Sequence, residues 1–404
     1  MYRGRNTFPG IITVIIAFAA LALLISACSE DPTEENALTA ALPLGEVEVH
    51  DTTIFASGTT TFKEFIPMNG KLNLLGMNDG YTALLPLAFF AAGFPVRDTV
   101  LVESATLTLK AVTWTGNSTA PFGFTVHRIL RNWDQTTLTW DSVQSGFYDP
   151  GVTYGEYAEG AAPDTHSVVV DLDTALVRAW LQSSTDTTTT KFGIILVPTA
   201  STNIVRGFEG FESFPDSALP RLKIIATNVA GTTRDTLLFN LGVDTFVGNI
   251  DNLNTDPGLI YAQAGVVYRS TLQFDVSFVP RGALINKAEM QLLLDPATTR
   301  LTKFTSDTVV SPHVILDAAD NSVFSGDLSS SFGNRKEGTS HLFAFSVPEA
   351  VQFWVQGSNN GFLLKTITGP ETGTFELYTF FNHAATDSAA RPRMQILYTT
   401  AKER

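Results

Sequence analysis

The stretch ATLTLKAV, residues 105–112, alternates apolar and polar side chains with period two, as a strand does when one face lies on a core. Similar short stretches follow as SVVVDL (167–172), GIILV (193–197) and RLKII (221–225), with turn residues between them. One helical patch interrupts the pattern, where Leu176, Val177, Trp180 and Leu181 fall on one face. Charged residues make up only 16% of the chain, well below the usual quarter, and there are 29 Phe, which suits antiparallel sheets outside the cytosol better than a helical enzyme.

The second half repeats the order of the first. VRAWLQ (177–182) returns as VQFWVQ (351–356), DSALPRLKI (216–224) as DSAARPRMQI (387–396), and VHRIL (126–130) as PHVIL (312–316). A chain of this length suits two cores better than one. The expected fold class is therefore all-β, with two tandem antiparallel β-sandwich modules, jelly-roll-like, each with one short helix. Their bounds are 49–228 and 229–404, joined near 226–231. In the second copy Ser346 and Glu349 have the spacing of a capping box, and Gly357 suits a left-handed helix end.

The chain opens with Arg3 and Arg5, runs uncharged from Ile11 to Ile25, and reaches Ser26, Ala27 and Cys28. Residues 1–27 read as a secretory signal segment. An apolar run from 11 to 25 reaches roughly 22 Å at 1.5 Å per residue, short of the ~30 Å hydrocarbon core. Ile25 to Cys28 resembles the lipobox of bacterial lipoproteins, which implies lipidation of Cys28, the single cysteine, and anchoring in the outer membrane of the cell envelope. Residues 28–48 are an acidic tether, and the Ser29-Glu30-Asp31 start resembles the surface-export signal of Bacteroidota lipoproteins. The net charge of −14 excludes nucleic acid as a natural partner.

The order of pieces in the first module also resembles a known family. An AxLxL strand (Ala105, Leu107, Leu109), Val126 and Arg128, then WDQTTLTW (133–140), the Ala179-Trp180-Leu181 helix, FGIIL (192–196) and DSALPRL (216–222) resemble the DNRLRE domain. The resemblance covers roughly residues 50 to 227. It implies a β-sandwich from the surface proteins of bacteria and archaea, grouped with polysaccharide-binding modules. The second module keeps Ala288 and Leu292, its tryptophan helix and the PRM ending. It has no tryptophan at Asp317 to Ser322, where WDQTTLTW would stand.

Two readings of Trp133 and Trp140 stand: packing at a corner between strands, which the residues favour, or a platform for a sugar ring. Asp134 would accept backbone N–H bonds two residues on, and Leu138 and Trp140 would share one side of a strand. The loop 145–160 places Tyr148, Tyr154 and Tyr157 among glycines. With Trp114 these are the candidate carbohydrate-binding residues. The acidic stretch Asp244 to Asp256 reads as a solvated turn rather than a calcium loop. The six histidines fall in no metal-binding spacing, and neither a nucleophile elbow nor a phosphate loop occurs. No catalytic residue, metal or cofactor is expected. The functional expectation is a lipid-anchored, non-catalytic envelope protein that binds a polysaccharide. The alternative is a spacer or assembly subunit, and the outsider is a glycoside hydrolase or lyase.

Overall fold

A computed structural model describes residues 47–402, apart from 69, 90–99, 162–164, 183–192, 212–218, 229–230, 251–255, 302–309, 327, 329–333 and 336–340. The signal segment, Cys28 and nearly all of the tether lie outside the described residues, as does the side chain of Leu181. Residues 50–398 form one compact unit, and residues 1–49 with 399–404 form another. Of the latter, the described residues begin the first strand and end the last.

The first half comprises β1 (Val47–Lys63), β2 (Leu72–Asn78), β3 (Tyr81–Phe89), β4 (Val100–Gly116), β5 (Phe122–Arg128), α1 (Trp140–Gln144), β6 (Gly155–Glu159), β7 (His166–Leu172), α2 (Thr174–Gln182), β8 (Gly193–Pro198), β9 (Ile204–Glu209) and β10 (Arg221–Asn228). The second comprises β11 (Arg234–Asp244), β12 (Val247–Ile250), β13 (Leu259–Gln263), β14 (Tyr268–Phe274), β15 (Leu284–Leu293), β16 (Val310–Asp317), β17 (Asp320–Phe324), β18 (Asn334–Arg335), β19 (Leu342–Ser346), α3 (Pro348–Gln356), β20 (Phe362–Thr366), α4 (Thr368–Gly373), β21 (Leu377–Phe381) and β22 (Arg393–Ala401). The fold is all-β, two large antiparallel sheets with a few short helices.

The quoted stretch lies in β4. Ala105, Leu107, Leu109 and Ala111 are buried while Thr106, Thr108 and Lys110 are not, as the period requires. Val168, Val170 and Leu172 of β7 join them in one core, together with Trp180 of α2. Trp354 of α3 sits in the other core, its ring 4.4 Å from that of Phe362. Both helix tryptophans are thus core residues, and a side chain of this size buried in full contributes upwards of about 2 kcal/mol.

The two sheets follow one path. In the first, the strands neighbour one another in the order β6-β5-β8-β3-β11-β10-β4-β7; in the second the order is β17-β16-β20-β14-β1-β22-β15-β19. Each strand has its counterpart except that the first strands have changed places. The expected modules 49–228 and 229–404 therefore share strands. β1 pairs with β14, Ala56 opposite Phe274 and Lys63 opposite Tyr268. β11 and β12 pair with β3, Leu241 opposite Phe89 and Ile250 opposite Tyr81. On either side of the expected junction β10 and β11 pair antiparallel, Leu222 opposite Phe239, and Gly231 lies in the left-handed region at φ 67.

Side-chain volume matches each strand to the sheet it occupies. β11 buries Phe239 and Leu241 in the first core, with Leu237 partly buried against it. The counterpart positions on β1 hold Ile54 and Ala56, with Thr52 at the third. β22, on the other side of β1, carries the buried Tyr398, stacked on His50 at 4.7 Å, where the aligned position of β10 is Ala226. Returning each strand to its own half would leave a void in one core and crowd the other.

Four local expectations are corrected. The N-cap of α3 is Val347 with no side-chain hydrogen bond, because Pro348 opens the helix two residues after Ser346 and leaves that serine outside the cap. Gly357 ends that helix at φ −139, outside the left-handed region, its N–H reaching the Phe353 and Trp354 carbonyls. Leu138 and Trp140 do not share a strand. The turn started by Asp134 leads instead into α1, capped by Thr139. Finally, the stretch from Asp244 is not a solvated turn throughout. Asp244 is buried and accepts from Asn73 and the Phe211 N–H, and 247–250 is β12, while 251–255 lies outside the described residues.

Candidate functional site

The WDQTTLTW element folds through local hydrogen bonds. The Asp134 carboxylate accepts from the Thr136 N–H (2.8 Å) and hydroxyl (2.7 Å), which hold it below the usual carboxylate range. The Ser142 N–H then donates to the Thr139 hydroxyl and the Thr139 N–H to the Ser142 hydroxyl, a reciprocal cap that starts α1 at Trp140. Trp133 and Trp140 are half-buried against a cluster of Leu84, Ile129, Leu138, Val143, Phe147, Ile195 and Val247. Corner packing therefore describes what their inner faces do.

Trp140 also lines a cleft of about 310 Å³, within the range of small-ligand sites. Its floor is apolar, made by Phe246, Val247, Val266 and Val267; its rim carries Lys63, Glu64, Phe65 and Asp141. Phe65 is 51% exposed, on the crossing from β1 to β2, and the floor residue Phe246 is on the short link between β11 and β12, which both pair with β3. The cleft thus lies beside the crossing from β1 to β2. The crossing is pinned by the Glu64 N–H to the Val267 carbonyl (2.9 Å). Gly265, at φ 76, permits the close approach of the 264–267 turn, since a Cβ there would meet the Thr374 carbonyl at 2.6 Å and the buried Tyr81 hydroxyl at 2.9 Å.

Charge at the rim is anchored from beneath. Glu64 accepts from Arg269 (3.2 Å), which forks onto both oxygens of Glu371 (3.1 Å each), and Lys365 reaches the same carboxylate at 3.1 Å. The Phe324 ring lies near both cations, and His313, packed on that ring, is held below its usual pKa first by burial and then by Lys365.

The four aromatics expected to form a site do not make a row. Tyr157 stacks on Phe124 (5.4 Å between centroids), and its hydroxyl donates to Glu159 (2.7 Å). Burial and then that carboxylate push the phenol pKa upward. Glu159 also holds Arg206 (2.8 Å) and His166 (3.0 Å), and Trp114 lies across from Arg206 in the β4–β9 ladder. Trp114 and Tyr157 are therefore gathered around one ion network, but Arg206 is fully buried and the network is internal. Tyr154 packs on the same core. Tyr148 lies against His127 in a different cluster. His127 accounts for the order of the loop, since its Nδ1 meets the Asp149 and Val152 carbonyls.

A second cavity, of about 350 Å³, is lined by Tyr81, Gln263, Arg300 and Phe375 among others. Tyr81 and Phe375 stack on each other and are buried, so neither offers an open ring face. Phe65 and Trp140 do, which makes their cleft the candidate site. Phe65 was missed in sequence because a lone aromatic after a strand carries no periodic signal. Among the described residues no group of three or more His, Cys, Asp or Glu is placed to hold a metal ion, and no helix is long and apolar enough to cross a membrane.

No family model matches the chain, and no curated protein matches it. A solved structure titled BspA_C_mut is similar at 9% identity over 83% of this chain and 87% of its own, with a TM-score of 0.16, a level that carries no weight for fold or function.

Proposed function

We propose that this chain is a lipid-anchored protein of the bacterial cell envelope that binds a polysaccharide without cleaving it, and that the cleft at the strand crossing holds the sugar. The observation that carries the reading is the rim itself. An exposed Phe65 and a half-buried Trp140 share one cleft with the carboxylates of Glu64 and Asp141 and the ammonium of Lys63. Aromatic faces cover the apolar side of a sugar ring, and charged groups at the edge meet its hydroxyls. The lipobox-like Ile25 to Cys28 supports the anchoring, and the resemblance of WDQTTLTW to the DNRLRE domain agrees with a site built beside that element.

A glycan array probed with the full chain tests the reading. Phe65→Ala should melt like the parent and bind more weakly by about 1 kcal/mol, some five-fold. Trp140→Ala should lose both stability and binding. Cys28→Ala should stop incorporation of labelled palmitate and leave glycan recognition intact. If the parent retains no glycan, or Phe65→Ala binds as the parent does, the cleft is not a sugar site.

A further inference from the structure

The cavity of about 350 Å³ lies apart from the cleft: among the described residues the two share no lining side chain. Both halves of the chain build it. From the first comes the tight turn between β2 and β3, where Asp79 and Gly80 are both left-handed, at φ 55 and φ 79. From the second come Gln263, the last residue of β13, and Arg300, in the link from β15 to β16. The Arg300 backbone is fixed on both sides, its N–H donating to the Leu377 carbonyl (2.9 Å) and its carbonyl accepting from the Leu377 N–H (2.8 Å). Its Nη1 donates to the Asp79 carbonyl, which joins the two halves across the cavity.

Two of its polar groups keep unused bonding capacity. Gln263 is 1% exposed, and its Oε1 has no hydrogen-bond partner among the described residues. A buried acceptor without a donor is costly, so it marks a place where a donor is wanted. Arg300 is half-buried, and the Asp79 carbonyl takes one of its N–H groups and leaves the others. The Asp79 carboxylate stands 4.0 Å from the Arg300 Nε and is 73% exposed, so water screens it. Thr299 and Asn78, which also line the cavity, are engaged, the first with the Thr379 backbone and the second with Asn203. Ile250, Leu301 and Leu377 supply an apolar side.

Each of these groups asks for one feature of a ligand. A guanidinium presents parallel N–H groups that match a carboxylate. The Gln263 Oε1 accepts from a hydroxyl, and the apolar side covers the C–H face of a ring. The volume is at the small end of ligand sites, enough for one ring rather than a chain of them. We infer that this cavity binds a single acidic sugar of the hexuronic acid class, its carboxylate on Arg300 and a hydroxyl on Gln263. The inference does not rest on the cleft, which is built from other residues.

Titration calorimetry of the full chain in detergent, with D-glucuronate, D-glucose and acetate as probes, tests the site. The parent should bind glucuronate about ten-fold more tightly than glucose, the worth of one charge-assisted contact, and acetate should not displace it. Arg300→Gln should bring glucuronate down to the level of glucose. Gln263→Met keeps the side chain's length and drops the acceptor; it should weaken both sugars while melting no lower than the parent. Arg300 is half-exposed, so its variant tests the site even if Gln263→Met fails to fold. Phe65→Ala should leave glucuronate binding unchanged, which separates this cavity from the cleft. The inference is overturned if the parent binds glucuronate no better than glucose, or if acetate displaces it. It is equally overturned if Arg300→Gln binds glucuronate as the parent does, or if Phe65→Ala weakens it as much as Arg300→Gln.

Discussion

His313 is enclosed by Phe324, by the Ser325 carbonyl and by the charges of Lys365, Arg269 and Glu371. Burial, with Lys365 behind it, lowers its pKa, so the folded state takes up the proton less readily than the unfolded chain. Its share of stability is complete above the ordinary imidazole value of about 6.5 and is lost as pH falls below that value toward the lowered one. The melting temperature should therefore drop on going from pH about 7.5 to about 5.5, and His313→Gln should flatten that slope. An equal slope in the variant would show that the ring stays open to water. Sequence reading had no hold on this residue, because its pKa is set first by burial and then by Lys365, which reaches it only through the β16–β20 pairing. Asp134 is the contrary case. Its partner Thr136 is two residues away, so the turn was legible from the stretch alone.

At the scale of elements, caps separate what spacing suggests from what the backbone adopts. Thr139 caps α1 with its own side chain, and Thr139→Ala should cost about 1 kcal/mol. Ser346 has the capping-box spacing but stands one residue before the N-cap and is exposed. Ser346→Ala should stay within about 0.5 kcal/mol of the parent. Chemical denaturation of both variants checks the pair; an equal cost would mean that Ser346 does cap α3. The strands themselves were legible, since β4 and β7 alternate between core and surface residue by residue. The run from Leu138 to Trp140 was not, because a cap overrides a two-residue pattern too short to hold a strand.

In the whole molecule, each sandwich is completed by a strand from the other half, so the two cores should melt together. Leu241→Ala removes a fully buried side chain from the first core and should cost about 2–5 kcal/mol. Ala56→Leu crowds the second core and should cost about 1–3 kcal/mol. Either variant should shift one common transition in calorimetry. Two separable transitions, with only one of them moved, would mean that the exchange does not couple the halves. The strands, the repeat and the core tryptophans Trp180 and Trp354 were determined by the sequence itself, because periodicity and repetition are local properties that burial then enforces. The partner of each first strand was decided only in the tertiary structure. β1 and β11 occupy equivalent positions in the two sheets. What separates them is the volume of the inward side chains, Ile54 and Ala56 in the second core against Phe239 and Leu241 in the first, and only the packed core registers that difference.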